Sequence, residues 1–344
     1  MYFASALGYK DLVMDLLSQG AKTETDLHGC FTRIPRSALV QACFEGHLSI
    51  AKYLIEKGAD VNARSANREL CTYALDSAAM GGHASIVDLL LQNGADVNAN
   101  GRMGPALQIA CYHGNKAIAK TLVDHGASLT CGDGCDGGPV QAALRGDDME
   151  LLQYIVGAGA DINLPVGPSC PYISDDVIVS GSAIQAAVAK SDRKIVDWLL
   201  DHGANVNLCG PAFSTGPLSI AAKRGDIDMV RRVMEAGADI SQDGVGFFAP
   251  PALFEAARAG HVEVIKCLVE AGADVNAVGK RTVGGRYGES VTVLAEACRR
   301  NIVAVVEALL EAGADVHRCC CLKSQEEPPI MVVARSGSVD IVRA

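Results

Sequence analysis

Aromatic residues are scarce in this chain of 344 residues, which contains a single Trp. They make up 5% of the sequence, whereas hydrophobic residues as a whole make up 49%. A core must therefore be built mainly from Ala, Val, Leu and Ile, which suits slender helices that pack closely.

Long apolar segments and secretion signals are also lacking. No apolar run approaches the roughly 18 residues of a membrane-spanning helix, and residues 1–10 lack the basic start and apolar stretch of a signal peptide. The 13 Cys form an odd, scattered set, which favours reduced thiols over a disulfide framework. We expect a cytoplasmic protein, with the nucleus as the alternative location.

Positive charge is in deficit. The 30 Lys and Arg face 40 Asp and Glu, giving a net charge of -10 and a pI near 5.3. Binding to a phosphate backbone requires clustered Lys and Arg. We therefore expect neither nucleic acid nor membrane as a partner.

A short motif is repeated along the whole chain. Gly-Ala-Asp-Val-Asn stands at residues 58–62, 94–98 and 272–276. Looser copies begin at Gly20, Gly126, Gly159, Gly203, Gly237 and Gly313. Repetition at intervals mostly in the thirties indicates an array of small structural units.

The second unit shows what each position does. Ser37 is placed to cap a first helix, and the small Ala42 lets neighbouring helices approach. Gly46 permits the left-handed backbone of an inter-helix turn, and Gly58 ends a second helix. The spacing of Leu48, Ala51, Leu54 and Ile55 predicts the apolar face of that second helix.

The inter-helix turn recurs four residues after each small Ala. The turn residue is Gly46, Gly82, Gly114, Gly225 or Gly260, with Ser191 and Asn301 as substitutes. The interval from Gly146 to Gly159 is one residue longer than in the other units, which predicts a shift near Asp147.

This pattern resembles the ankyrin repeat, a β-turn followed by two antiparallel helices. The Leu-x-x-Ala part of that family's helix-opening motif stands at 39–42, 75–78, 107–110, 218–221, 253–256 and 294–297, but the family's His is absent from these copies. The resemblance implies an all-α solenoid of nine units and a partial tenth. The segments 104–110 and 181–187 are also similar to arrays that follow NACHT-type domains in large fungal proteins.

The repeats predict one continuous domain over residues 1–344, with no separate globular part. Its units are approximately 1–24, 35–64, 72–100, 104–132, 137–165, 181–209, 215–243, 250–278, 291–319 and the partial 328–344. Both ends fall inside a unit, and Met1, Phe3 and Leu7 would face water. We therefore expect a piece of a longer array, with naturally frayed ends as the alternative.

Three connectors are long, at residues 22–36, 164–180 and 278–291. Insertions of this kind map to one face, often the binding face, although loops also tolerate neutral insertion. The connector charges run from basic (Arg33, Arg36, Arg64, Arg68, Arg102) through acidic (Asp133, Asp136, Asp175, Asp176) to basic (Lys280, Arg281, Arg286). Such a charge pattern would orient a partner protein on this surface. The alternative is that these are ordinary solvated loop charges with no part in binding.

Three other patterns could suggest a nucleotide site, a metal site or a catalytic site, but a simpler explanation fits each of them better. Gly132-x-Gly134-x-x-Gly137 lacks the strand and helix that a dinucleotide site requires. Cys131, Cys135 and the run 317–321 lack the two separated pairs of a zinc site. His47, His83 and His261 follow turn glycines and belong to the repeat. Cys43, Cys111 and Cys298 follow the small Ala and are expected in the core. Trp198 is expected to serve packing on a second helix. We expect no enzyme activity, cofactor or metal.

The sequence therefore predicts a monomeric, non-catalytic scaffold that binds another protein through its concave face and finger turns. The candidate contact residues are the aromatic and Arg side chains that the repeat leaves free: Phe31, Arg33, Arg36, Arg68, Tyr73, Arg102, Tyr112, Phe213, Phe247, Phe248, Arg286 and Tyr287. Two alternatives stay open. One is the ligand-sensing region of a larger NACHT-type ATPase, and the other is a purely structural spacer.

Overall fold

A computed structural model describes residues 2–21, 24–25, 36–66, 71–101, 104–130, 138–146, 148–164, 181–209, 215–241, 250–283, 286–318, 320–322, 325–336 and 341. The chain forms two compact units, Met1–Val179 and Ser180–Ala344. Both are built from pairs of short helices, and the predicted all-α repeat architecture is confirmed.

The first unit contains five helix pairs. These are α1 Tyr2–Ala6 and α2 Lys10–Ser18, α3 Ala38–Glu45 and α4 Leu48–Glu56, α5 Ala74–Gly81 and α6 Ala84–Gln92, α7 Ala106–Tyr112 and α8 Lys116–Asp124, and α9 Pro139–Arg145 and α10 Met149–Gly157. Successive first helices pack side by side from α1 to α9, and the second helices do so from α2 to α8. Three two-stranded ladders precede α3, α5 and α7: β1 Glu24–Thr25 with β2 Arg36–Ser37, β3 Ser65–Ala66 with β4 Cys71–Thr72, and β5 Asn100–Gly101 with β6 Gly104–Pro105.

The second unit repeats the plan. Its helices are α11 Ala183–Lys190, α12 Arg193–Asp201, α13 Pro217–Arg224, α14 Ile227–Glu235, α15 Ala252–Ala259, α16 Val262–Glu270, α17 Val293–Arg300, α18 Val303–Glu311 and α19 Pro329–Ser336. The first helices α11, α13, α15, α17 and α19 pack in that order. Strands β7 Val278–Val283, β8 Arg286–Thr292, β9 Cys320–Leu322 and β10 Gln325–Glu327 form a four-stranded antiparallel sheet in sequence order.

The predicted turn residues adopt left-handed backbone. The angle φ is positive at Gly46, Gly82, Gly114, Gly225 and Gly260. It is also positive at the substitutes Ser191 and Asn301, where it is 55° and 59°. The nine closing glycines, from Gly20 to Gly313, do the same. The turns of both units are therefore set by positions that the repeat spacing identified.

The predicted shift near Asp147 is wrong. Gly146 has φ -71° and belongs to the right-handed end of α9, so it is not the turn residue. Asp148 caps α10 and stands as far before Gly159 as His47 stands before Gly58. The repeat thus keeps its spacing, and residue 147, which lies outside the described residues, aligns in sequence with the turn glycines.

Small side chains let the first helices approach. Every predicted small Ala from Ala42 to Ala297 is fully buried. On α4 the buried residues are Ile50, Ala51 and Leu54, whereas Leu48 is 41% exposed. The prediction for Leu48 is wrong because this residue begins the helix, where its side chain lies outside the packed stripe.

The position of the missing family His is filled in several ways. Gln141 Nε2 donates to Leu164 O at 2.8 Å, and Gln185 Nε2 donates to Thr215 O at 2.7 Å. Ser219 Oγ donates to Pro250 O at 3.3 Å. An amide or hydroxyl therefore takes over the bond to the turn in some repeats. By contrast, neither polar atom of the Gln108 side chain has a partner among the described residues.

The Asn that closes the repeated motif joins one repeat to the next. Asn62 Nδ2 donates to Gly94 O at 2.9 Å, and its Oδ1 accepts from Asp96 N at 2.8 Å. Asn98 and Asn207 make the same pair of bonds to the following repeat. The local turn is held by Asp60, whose Oδ1 accepts from Asn62 N.

The histidines after the turn glycines link neighbouring first helices. His83 Nε2 lies 3.0 Å from Phe44 O, and His261 Nε2 lies 3.1 Å from Lys223 O. A carbonyl can only accept, so Nε2 carries the proton in both. A Cβ added at Gly46 would come within 2.5 Å of the His83 ring, which explains why the bridge needs glycine beneath it.

Two side-chain predictions concern packing. Cys43, Cys111 and Cys298 are buried, as expected for small core residues, and burial raises the pKa of the Cys298 thiol to about 11. Trp198 is half-buried on α12, where its ring stacks on His202 with the centroids 4.0 Å apart. The prediction that Trp198 serves packing is consistent with this contact.

Candidate functional site

One position recurs at the end of the first helices from α3 to α17. It is exposed at Phe44, Tyr112 and Lys223, half-buried at Met80, Arg145, Arg258 and Arg299, and buried at Ala189. It lies two residues before the turn position, and we call the set the first-helix row. In the first unit the row contains Phe44, Met80, Tyr112 and Arg145, and in the second unit it contains Ala189, Lys223, Arg258 and Arg299. Because the helices that carry it pack side by side within each unit, the row is continuous from Phe44 to Arg145 and from Lys223 to Arg299.

In the first unit the row is apolar from Phe44 to Tyr112 and ends in Arg145. Phe44 is 42% exposed and Tyr112 is 41% exposed, with the half-buried Met80 on the helix between them. The Tyr112 ring meets His113 edge-on at 5.1 Å, and the Arg145 guanidinium lies 5.7 Å from the centre of the Tyr112 ring. Aromatic rings held in this way offer contact area with little ordering cost.

In the second unit the row is basic and rests on two buried carboxylates. Glu255 on α15 is 3% exposed, and Glu296 on α17 is fully buried. Arg299 binds Glu296 through two bonds, from Nε at 2.9 Å and from Nη2 at 2.6 Å, and Arg300 Nε adds a third at 3.2 Å. Arg258 Nη2 lies 2.9 Å from Glu255 Oε2.

Burial and charge act in opposite directions on Glu255. Burial raises the pKa of this carboxyl, and the neighbouring Glu296 adds to the rise, whereas Arg258, Lys223 and Arg300 oppose it. The cations therefore stabilise the ionised form that they bind. Hydrogen bonds to Glu296 hold Arg299 and Arg300 at the end of α17, and charge attraction to Glu255 holds Arg258 at the end of α15.

The backbone of the row is held by the histidine bridges. The carbonyl that accepts from His83 belongs to Phe44, and the carbonyl that accepts from His261 belongs to Lys223. Asn115 Nδ2 plays the equivalent part for Ala79 O at 3.1 Å. Each bridge ties the end of one first helix to the next repeat, so the row lies on a supported scaffold.

The sequence-predicted contact residues are not gathered in one place. Tyr112 lies at the end of α7, in the row, whereas Tyr73 precedes α5 and is half-buried at the opposite helix end. Arg36 lies on strand β2, and Arg286 and Tyr287 lie on strand β8; only the backbone of these three residues is described. Phe31, Arg33, Arg68, Arg102, Phe213, Phe247 and Phe248 lie outside the described residues.

Sequence reasoning missed most of the first-helix row. Phe44, Lys223, Arg258 and Arg299 were not among the candidates, although all of them stand two residues before a turn position. Aligning the repeats on their turn residues and comparing this one column would have found them.

The structure does not test the expectation that the Gly-rich and Cys motifs after α8 form no nucleotide or metal site. Cys131, Cys135 and the segment Gly132 to Gly137 lie outside the described residues. Elsewhere, in the part of the chain that the structure describes, no group of three or more His, Cys, Asp or Glu side chains is arranged to hold a metal ion. Within the same described ranges, no helix has both the length and the hydrophobicity needed to cross a bilayer.

Comparison with known families agrees with this geometry. A family model described as ankyrin repeats (3 copies) matches residues 1–101, 77–166, 140–243, 183–279 and 218–319. The chain belongs to the ankyrin-repeat family. Ankyrin repeats are in general protein-interaction modules, and ankyrin-repeat proteins are generally non-catalytic. A comparison with curated proteins found no match.

Proposed function

We propose that this ankyrin-repeat chain is a non-catalytic scaffold that binds a partner protein through the first-helix row and the adjoining turns. The observation that carries the proposal is the exposure of Phe44 and Tyr112, each more than 40% accessible at the same repeat position. Packing does not account for large rings left in water at equivalent sites. Aromatic residues of this kind are frequent anchors of protein interfaces.

The support beneath the row favours binding by a preformed surface. Phe44 O accepts from the His83 imidazole, and the Tyr112 ring lies between His113 and Arg145. A surface that is ordered before binding loses little conformational entropy on association. We therefore expect the partner to meet a fixed array of side chains.

The test begins with a photo-reactive amino acid in place of Phe44, used to capture a partner from the source cells, followed by calorimetry with that partner purified. Phe44→Ala combined with Tyr112→Ala should weaken binding by about tenfold or more, since buried interface aromatics often contribute over 1 kcal/mol each. The matched control is Tyr53→Ala with Tyr154→Ala, which removes two half-buried rings from the second helices α4 and α10.

Circular dichroism verifies that all variants keep their helix content. Equal losses of affinity in the two double variants would contradict the proposal, because the row would then have no special part in binding. Loss of affinity in neither would favour the structural spacer.

A further inference from the structure

The first helices of the second unit end in basic residues. Their last turns carry Lys190 on α11, Lys223 and Arg224 on α13, Arg258 on α15, and Arg299 and Arg300 on α17. We call these six residues the basic row. In the first unit, α3, α5 and α7 have no basic residue in the last turn, and α9 has only Arg145.

The helix dipole does not account for the difference. Cations are favoured at helix C-termini by about 0.3–1 kcal/mol, and this gain is available to every helix. Helices α3 and α5 end at a left-handed glycine, as α13 and α15 do, yet they have no cation there. A position at the end of a helix therefore does not explain why these helices of the second unit carry basic residues.

The acidic residues beneath the basic row are buried. The two acidic side chains on α11, α13, α15 and α17 are Glu255 and Glu296, both buried. Lys223 and Arg224 are exposed, and the side chain of Arg300 is 44% exposed. The charge that these four helices present to water is thus positive, while the buried carboxylates hold Arg258, Arg299 and Arg300 in position.

We infer that the basic row binds an extended, acidic segment of a partner protein. The inference rests on the proposed function and specifies the partner's chemistry for the second unit. Packed helices lie about 10 Å apart, and an extended chain in the polyproline II conformation advances about 3.1 Å per residue with three residues per turn. Acidic side chains at every third residue would therefore lie on one face of the segment and meet successive first helices.

Charge elsewhere favours a peptide over a nucleic acid. Asp192 and Asp226 cap the helices that follow the ends of α11 and α13, so carboxylates flank the basic row. The whole chain has a net charge of -10. A nucleic acid presents closely spaced phosphates and needs extended neutralisation, whereas a peptide with spaced carboxylates can avoid the flanking acids.

The test measures fluorescence anisotropy of a labelled peptide of about 12 residues with Glu at every third position. The comparison ligands are the same peptide with Gln for Glu, a peptide with its Glu residues contiguous, and a single-stranded oligonucleotide of equal charge. The variant is Lys223→Gln with Arg224→Gln, which leaves the buried Glu255 and Glu296 with their Arg partners. It also removes the charge of Lys223 near Glu255 and the bond from Arg224 Nε to Ser191 Oγ, so circular dichroism is used to verify its fold. The control is Arg231→Gln with Lys266→Gln, which removes the same charge from exposed sites on α14 and α16.

We expect the spaced Glu peptide to bind best, and added salt to weaken it. The Lys223 and Arg224 variant should bind about three- to tenfold more weakly, as expected for the loss of two surface charges. The control should change affinity by less than about twofold. Equal binding of the Glu and Gln peptides, equal loss in both variants, or tighter binding of the oligonucleotide would each overturn the inference.

Failure here is distinguishable from failure of the proposed function. If a partner captured at Phe44 still depends on Phe44 and Tyr112 while the acidic peptide does not bind, the scaffold proposal stands and the inference on the basic row is wrong. If no surface variant weakens any partner, both are wrong.

Discussion

Replacement of Asp76 by Asn should make this protein more stable at neutral pH and remove a pH dependence. Asp76 is 1% exposed in the first turn of α5. Its Oδ2 accepts from Tyr73 N at 3.1 Å, whereas its Oδ1 has no hydrogen-bond partner among the described residues. Burial raises the pKa of this carboxyl to about 7, and the bond from Tyr73 opposes the rise.

The sign of the pH effect follows from proton binding. In the unfolded chain the carboxyl has its ordinary pKa of 3.8, so between that value and about 7 the folded protein holds a proton that the unfolded chain has lost. The free energy of unfolding therefore falls as the pH rises through this window and is lowest above it. At one pKa unit per 1.36 kcal/mol, the full cost of ionised Asp76 at high pH is about 4 kcal/mol.

An Asn at this position keeps the shape and an acceptor for Tyr73 but does not titrate. Its amide N–H groups would need partners, at a cost of about 1–3 kcal/mol. The expected net gain at pH 8 is thus about 1–3 kcal/mol. Between pH 5 and pH 8 the wild-type protein should lose about 3 kcal/mol relative to Asp76→Asn.

Urea unfolding followed by circular dichroism, at several pH values, measures these differences. The control is Asp88→Asn, which removes the same charge from an exposed position on α6 and should change stability by less than about 0.5 kcal/mol. A stability difference between wild type and Asp76→Asn that stays constant from pH 5 to pH 8 would refute the reasoning, because Asp76 would then be ionised throughout.

Two further predictions concern the repeat scaffold. Gly46→Ala and Gly58→Ala both force Ala into a left-handed backbone, which costs about 1–2 kcal/mol. Only the Ala at position 46 meets the His83 ring, so Gly46→Ala should lower the free energy of unfolding in urea by at least about 1 kcal/mol more than Gly58→Ala does. Equal losses of stability would contradict the close approach. Asn62→Ala removes both bonds to the next repeat and should cost about 1–2 kcal/mol, whereas Asn93→Ala removes one bond within its own helix; a smaller loss at Asn62 would argue against the bridge.

Most of the fold could be predicted from the sequence by rules that relate a residue to the backbone conformation at its own position. Left-handed turns favour Gly so strongly that the spacing of Gly46, Gly82 and their equivalents located them, and it also identified Ser191 and Asn301 in glycine positions. The capping role of Ser37 was equally accessible, since its Oγ accepts from Val40 N only three residues away. Signals of this kind need no knowledge of distant partners.

Contacts between repeats were beyond such rules. Asn62 bonds to residues 32 and 34 positions later, and His83 bonds to Phe44, 39 positions earlier. Nothing in the local sequence of either residue specifies these partners. Their roles as bridges follow only once the stacking of neighbouring repeats is known.

One pair of strands could have been predicted from the sequence but was missed. Strands β7 and β8 pair antiparallel within a segment that sequence reasoning treated as a long connector. Gly284 and Gly285 separate Thr282-Val283 from Arg286-Tyr287, and a Gly pair between two runs with β-branched or aromatic residues is a hairpin signal. The resemblance to arrays of NACHT-type proteins and the single continuous domain are tested by none of these observations and stay predictions.

The only Trp of the chain provides an optical probe that reports one unit alone. Trp198 belongs to the second unit, and its stacking on His202 places its emission under the control of that local packing. Circular dichroism, by contrast, records the helices of both units. Transitions that coincide in the two signals would indicate cooperative unfolding of the whole chain, and separate transitions would show that the units unfold independently.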